Sequence, residues 1–91
     1  GAQISVTVVD RFGTIQAQIR DTLAAPISIP ISYRKAKTAA NFNTITANLG
    51  DVRNSPIANI ENLLMSPGGA PIAAAGVFYG AVGVSGSTGE I

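Results

Sequence analysis

The side chains of this chain that could do chemistry are few, and their types narrow the chemistry sharply. The sequence contains no histidine and no cysteine. Disulfides, cysteine-type zinc sites and thiolate catalysis are therefore excluded, and the commonest general base and metal ligand is absent. The five carboxylates are scattered along the chain, so no carboxylate pair is predicted. We predict no catalytic residue and no metal site.

Three of the six basic residues lie close together, at Arg34, Lys35 and Lys37. Such a cluster suits an anion or carboxylate site. It equally suits a solvated helix face, where the lysine stems cover apolar surface and the charges reach water. The sequence leaves both interpretations open. The formal net charge of +1 argues against a nucleic-acid partner, because such domains usually carry a clear basic excess.

Two further features are candidates for ligand contact. Gly68 and Gly69 would let backbone amides approach a ligand, although a plain hairpin turn explains them as well. Met65, Tyr33 and Tyr79 are also candidates for ligand contact, and all three suit ordinary core packing as well. The segment 85–89 lacks the lysine of a phosphate-binding loop and does not fit a nucleophile elbow.

The elements that must position these residues begin with a hairpin. Residues Ile4–Asp10 and 14–20 alternate apolar and polar side chains around a turn that contains Gly13, which predicts two antiparallel strands. The apolar sets expected to face the core are Ile4, Val6 and Val8 in the first strand and Ile15, Ala17 and Ile19 in the second.

A helix is predicted over residues 29–40, with Ser28 as its N-cap and an apolar stripe of Ile29, Tyr33, Ala36 and Ala40. Arg34, Lys35 and Lys37 would lie on the margin of that stripe or away from it. Asn43 is a candidate cap for a second short helix ending before Gly50, and residues 51–59 suit a surface loop. Residues 61–66 fit either a short strand or a helix end, and residues 70–74 and 77–84 predict two strands. This order predicts an α+β fold.

Size and composition predict that the apolar surface exceeds what the chain can bury alone. Of 91 residues, 46% are hydrophobic and only 12% are charged. A domain this small buries a limited share of its surface, so we expect the remainder to be covered by another chain or by a further part of the same protein. The uncharged stretch from residue 62 to 89 is interrupted by prolines and glycines, and no membrane span is predicted.

Four segments, in the same order, resemble motifs of one known family. They are the strand of residues 5–10 with Gly13 after it, Lys35-Ala36 with Thr38-Ala39-Ala40, the turn Gly68-Gly69-Ala70-Pro71-Ile72, and the final strand of residues 80–86. Together they resemble the GlcG/HbpS-like family, which also includes the C-terminal domain of a corrinoid adenosyltransferase group.

The resemblance implies a profilin-like fold, with a five-stranded antiparallel sheet and helices on its faces. Family domains usually have a helix before the first strand and another after the last one. Neither is found in this sequence, so we expect residues 1–91 to be a single domain that is incomplete at both ends. The resemblance also implies a homo-oligomer or a larger partner or parent chain.

The resemblance further implies a non-catalytic ligand-binding or accessory domain, with haem as the leading cofactor and cobalamin behind it. The residues that we expect to contact a tetrapyrrole are Lys35, Tyr33, Met65, Gly68 and Gly69. A structural or interaction module without a cofactor, and a haem-degrading enzyme, are the alternatives. The compartment stays open, with an extracytoplasmic one slightly favoured.

Overall fold

Four antiparallel strands form one sheet in the computed structural model, which describes residues 3–86. The strands are β1 (Ile4–Asp10), β2 (Ile15–Arg20), β3 (Gly69–Ala74) and β4 (Val77–Gly86), in the order β2-β1-β4-β3. A single long helix, α1 (Ser28–Phe42), lies across one face of the sheet. The predicted α+β fold is confirmed. The glycine-rich segment after Gly86 lies outside the described residues.

Both hairpins form where the turn residues predict them. The Asp10 carboxylate accepts hydrogen bonds from the backbone amides of Phe12, at 2.8 Å, and Thr14, at 3.0 Å, and Gly13 has a φ of 86°. The β3–β4 turn places Ala75 at a φ of 52° and Gly76 at 78°, the left-handed pair that closes a two-residue hairpin. Each hairpin contains one irregularity in its pairing, between Val8 and Val9 in β1 and between Ile72 and Ala73 in β3.

Helix α1 begins and ends slightly beyond the predicted bounds, and its two caps differ from the prediction. Ser28 is the first helical residue rather than the N-cap, and its hydroxyl donates to Ala25 O at 2.6 Å. Asn43 does not begin a second helix. It ends α1 in the left-handed conformation, with a φ of 47° and its N–H donating to Ala39 O.

The segment between α1 and β3 contains only short helical turns. They are a 3-10 turn (Thr46–Asn48), the helix α2 (Gly50–Arg53) and a second 3-10 turn (Pro56–Asn59). Residues 61–66 form neither of the predicted alternatives, so residues 3–86 contribute four strands rather than five. Within that span no helix is long and apolar enough to cross a membrane.

The core lies between α1 and the sheet and is built from small residues. Val9, Ala36, Ala39, Ala40 and Ala81 form its centre, and Tyr33 and Phe78 pack against it. Gly83 of β4 lies directly beneath the helix, where a Cβ atom would collide with Ser32 O and the Ala36 backbone. These small residues allow the helix backbone to approach the sheet closely.

The predicted core faces of β1 and β2 are wrong. Helix α1 covers Ser5, Thr7 and Val9, which are at most 1% exposed. The predicted inward set of Ile4, Val6 and Val8 lies on the opposite side of the sheet and is half-buried, and all six residues of β2 are exposed. The alternation was predicted correctly, but hydrophobicity did not select the covered face, because hydroxyl groups that are hydrogen-bonded can also be buried.

The side of the sheet away from α1 carries an apolar surface, which we call the open face. Paired residues of antiparallel strands share a face, and the pairing joins Val6 to Ile19 and Val84, Val8 to Ala17 and Val82, and Val82 to Ala70. The open face therefore extends over all four strands.

A layer of buried hydroxyl groups joins α1 to β1. Ser5 Oγ lies 2.6 Å from Ser28 Oγ, and Thr7 Oγ1 lies 2.7 Å from Ser32 Oγ. Since Ser28 and Ser32 donate their protons to helix carbonyls, Ser5 and Thr7 are the donors in these pairs. Gln18 Nε2 donates to Thr7 Oγ1 at 2.8 Å, which completes the layer from β2.

Candidate functional site

Lys35 lies on the buried side of α1, where the sequence placed it at the margin. Its side chain is 4% exposed, and Nζ donates to Val84 O at 3.3 Å. The pairing of β3 with β4 ends at this point. Val84 N still donates to Gly68 O at 2.8 Å, but the carbonyl of Val84 has no strand partner. The amine of Lys35 satisfies that carbonyl, so the interpretation of Lys35 as a solvated surface lysine is wrong.

Burial changes the acid–base behaviour of the Lys35 amine. Desolvation lowers the pKa of its amine below the ordinary value of 10.5. The acceptor of its hydrogen bond is a neutral carbonyl, so this contact does not neutralise the ammonium charge. An ammonium group has three N–H donors, and two are free of this contact and can bind an anion or water.

Gly68 and Gly69 lie against Lys35, as a shared site requires. Gly68 has a φ of 126°, and a Cβ atom there would come within 2.9 Å of Lys35 Cδ. Gly69 is buried and donates its N–H to Thr46 Oγ1 at 2.9 Å, while Thr46 Oγ1 donates to Ser66 O at 2.7 Å. We call Lys35, Thr46, Gly68 and Gly69 the Lys35 cluster. Thr46 was missed, because no motif distinguishes it from other threonines in the sequence.

Of the predicted contact residues, Met65 is buried and Tyr33 lies away from the Lys35 cluster. Met65 is 3% exposed and is held by Arg53, whose guanidinium donates to Met65 O at 2.8 Å. Tyr33 packs against the core, and its ring centroid lies 5.9 Å from Lys37 Nζ. Since α1 turns about 100° per residue, Tyr33 and Lys35 leave the helix in nearly opposite directions.

An apolar groove runs along the start of α1, beside the Lys35 cluster. One cleft of about 250 Å³ is lined by Leu23, Ile27 and Ile31 together with Ser85 and Gly86. A second, of about 240 Å³, shares Ile27 and Ile31 and ends at Arg34. We call the two together the Ile27–Ile31 groove.

The groove and the Lys35 cluster are neighbours on both elements that form them. Lys35 lies one helical turn after Ile31, and its hydrogen-bond acceptor Val84 directly precedes Ser85. Sequence reasoning missed this groove. The signal that could have found it is the spacing of four residues between Leu23, Ile27 and Ile31, of which the first two are 72% and 65% exposed.

The groove fits the ring of a tetrapyrrole better than the described side chains fit its iron. Apolar walls that end at a cation, here Arg34, suit a flat hydrophobic ring with carboxylate arms. Residues 3–86 contain no group of three or more metal-binding carboxylates, histidines or cysteines. Met65 is enclosed and Tyr33 is packed on the core, so neither presents an open axial position.

The profile of a family described as haem degrading protein HbpS-like matches residues 1–91. The chain belongs to the HbpS-like family. Its fold is similar to that of a double mutant of Streptomyces reticuli HbpS, with 33% sequence identity and a TM-score of 0.88 over 98% of this HbpS-like chain. No curated protein matches the sequence significantly.

Two further structures widen the comparison. A haem complex of PduOC is 26% identical to this HbpS-like chain, with a TM-score of 0.85 over 97% of it. The Klebsiella pneumoniae protein ORFY is 27% identical, with a TM-score of 0.85 and the same coverage. The HbpS-like chain spans 62% of the Streptomyces reticuli protein, 69% of PduOC and 66% of ORFY.

Proposed function

We propose that this HbpS-like chain is a non-catalytic tetrapyrrole-binding domain, with haem as the ligand and an accessory role in a larger assembly. The observation that carries the proposal is the apolar groove that adjoins a buried lysine, whose acceptor among residues 3–86 is a neutral carbonyl. Membership of the HbpS-like family supports haem in particular, as does the fold shared with PduOC, which was solved as a haem complex. Cobalamin ranks behind haem.

In this proposal the side chains recognise the ring and its acid groups. Leu23, Ile27 and Ile31 cover one face of the macrocycle and exclude water from it. Arg34 and Lys35 bind the propionates, and a carboxylate beside Lys35 stabilises the charged amine that burial disfavours. Bound haem would supply a redox-active iron. The described residues contribute ring binding, orientation and charge pairing, and the Gly68–Gly69 turn lets the backbone pack closely against the lysine.

We also propose that residues 1–91 form one domain of the profilin-like type, with a fifth strand in the complete sheet. Four antiparallel strands beneath one long helix support this description, as does the agreement with the solved HbpS-like structures.

The test is a titration with haem and, separately, with iron-free protoporphyrin IX, followed by the Soret band. Because the groove and the two cations recognise the ring and its carboxylates, we expect both compounds to bind with affinities within about tenfold of each other. Ile31→Glu and Arg34→Glu should each weaken both about tenfold or more. Arg11→Glu, which removes an exposed cation at the β1–β2 turn, is the matched control and should change neither.

Two results would contradict the proposal. One is a Soret band that stays unshifted for both compounds. The other is an equal loss of binding in Arg11→Glu and Arg34→Glu, which would mean that general positive charge rather than the groove attracts the acid groups.

A second candidate function is an interaction module that carries no cofactor, and the open face favours it. An apolar surface that crosses four strands is a typical protein-contact site. If the chain binds neither haem nor the iron-free porphyrin, and open-face variants such as Val82→Thr abolish its association with other chains, this second function holds instead.

A further inference from the structure

The two edges of the sheet differ in how readily they accept another strand. Strand β3, on one edge, contains Pro71, which has no N–H to donate. Prolines and bulges are the usual means by which proteins block an edge. Strand β2, on the other edge, contains no proline and no lysine, and every one of its residues is exposed. The extra residue of β2, Gln16, lies near the start of the strand, so residues 17–20 form its accessible, regular stretch.

The hydrogen-bonding groups on the outer side of β2 can be assigned by alternation. Asp21 N donates to Ile4 O at 2.8 Å, so the backbone of Asp21 points towards β1. In an antiparallel pair, alternate residues point the same way, so Ile19 and Ala17 also face β1. The N–H and C=O groups of Gln18 and Arg20 therefore point away from the sheet.

The one charged side chain of β2 leaves this edge free. The Arg20 guanidinium folds back along the chain and donates to Ala24 O at 2.8 Å, with longer bonds to the carbonyls of Asp21 and Thr22. Positively charged side chains on an edge usually repel an approaching strand. Here that charge is held at the end of the strand, beside the turn that follows it.

We propose that β2 pairs with β2 of a second copy of this chain, antiparallel and about a two-fold axis at Gln18. At that axis the N–H and C=O of the two Gln18 residues exchange hydrogen bonds, because both point outwards. Ala17 of each copy lies opposite Ile19 of the other, and both belong to the open face. An axis at Gln18 places Gln16, the extra residue of β2, opposite Arg20 at the end of the ladder, whereas an axis at Ala17 would place it opposite Gln18, next to the centre.

A second copy fits this edge for two reasons. A strand with outward groups centred on one residue is complementary to itself, as a two-fold interface requires. Ile19 is 73% exposed, and the pairing covers it with the Ala17 methyl group and the neighbouring backbone. The two sheets join into one of eight strands, over which the open faces are continuous. This inference is independent of the proposed haem function.

The experiment measures the mass of the 91-residue chain by sedimentation without any cofactor. We expect a dimer. Gln18→Glu and Gln18→Lys should each weaken it about fivefold or more, because like charges then face each other across the axis. An equal mixture of the two variants should restore the dimer, because opposite charges then meet. Ala74→Glu, an exposed residue on the other hairpin, is the matched control and should leave the dimer intact.

The charge exchange separates pairing from folding. Lysine can still donate to the Thr7 hydroxyl, whereas glutamate cannot, because that hydroxyl already gives its proton to Ser32. Circular dichroism of each variant reports its fold. Ile19→Glu, at a position exposed in the single chain, is a second variant that should also yield monomers. A wild-type monomer at high concentration, a dimer that neither charge weakens, or a mixture no more associated than its components would each overturn the proposal.

Discussion

At the scale of single residues, Lys35 has a structural role that the sequence did not predict. It is a structural donor, since it satisfies the Val84 carbonyl where strand pairing ends, and it lies one helical turn after Ile31 of the groove. The resemblance to the HbpS-like family directed attention to Lys35, Gly68 and Gly69, and the structure brings these three together. Helical periodicity alone could have shown that Tyr33, two residues before Lys35, points elsewhere.

The buried amine of Lys35 should make stability depend on pH. Since its pKa is lowered in the folded state, the unfolded chain binds more protons between that lowered pKa and 10.5. The free energy of unfolding should therefore rise with pH across this window, relative to Lys35→Met, and level off above it. Urea unfolding of both proteins over this pH range checks the prediction.

Lys37→Met, on the same helix, corrects that comparison for the general loss of one positive charge. If the difference between wild type and Lys35→Met is the same at every pH, the amine is not desolvated in the folded protein.

Thr46 should matter more to stability than its small size suggests. It is fully buried and connects the Gly69 amide to the Ser66 carbonyl. Thr46→Val keeps the shape but leaves both groups without that partner, and we expect a loss of about 2–3 kcal/mol in the free energy of unfolding. Thr44→Val, whose hydroxyl bonds only to the nearby Phe42 O, should cost under about 1 kcal/mol. Urea denaturation measures both, and equal losses would contradict this role.

At the scale of elements, the hairpins were predictable because each turn depends mainly on residues within the turn itself. Asp10, Gly13 and Gly76 dictate the turns whatever lies around them. The covered face of β1 was not predictable in this way, because it depends on which side α1 packs against, and its serine and threonine hydroxyls find partners only on that helix. The short turns between α1 and β3 were missed because they are held by tertiary contacts rather than by periodicity.

The close approach of α1 to β4 depends on Gly83. Gly83→Ala places a methyl group against the backbone at Ser32 and Ala36, neither of which can move without shifting the helix. We expect a loss of about 2–3 kcal/mol in the free energy of unfolding. Gly50→Ala, at a helical position with no neighbour within 4 Å of the added methyl group, is the control and should be neutral or slightly stabilising. Thermal and urea unfolding of the two variants would show equal effects only if close packing at Gly83 were unimportant.

At the scale of the whole molecule, the core lies on only one face of the sheet. Two adjacent valines on opposite faces allow this to be tested. Val9 lies beneath α1 at 1% exposure, while Val8 lies on the half-buried open face. Val9→Ala should lower the free energy of unfolding by about 2 kcal/mol, and Val8→Ala by clearly less. Urea unfolding of the isolated chain tests this. A cost for Val8→Ala equal to that for Val9→Ala would mean that the open face is covered in solution.

The composition predicted this one-sidedness in outline only. An apolar excess in a small domain means that some apolar surface stays outside the core, and the open face and the Ile27–Ile31 groove are two such surfaces. Their positions depend on where α1 crosses the sheet, which no local pattern in the sequence specifies.

The hydroxyl layer between α1 and β1 has a consequence for where the groove can lie. Ser28 and Ser32 are about 6 Å apart along the helix, and Ser5 and Thr7 are about 6.6 Å apart along the strand. The two spacings nearly match, so both hydroxyl pairs form hydrogen bonds at the same position of the helix along the strand. A shift of the helix by one residue would break both. Alanine and glycine surfaces alone would let the helix slide. The matched spacing therefore fixes where Ile27, Ile31 and Lys35 lie along β4. The site is thus positioned by a contact on the other side of the helix.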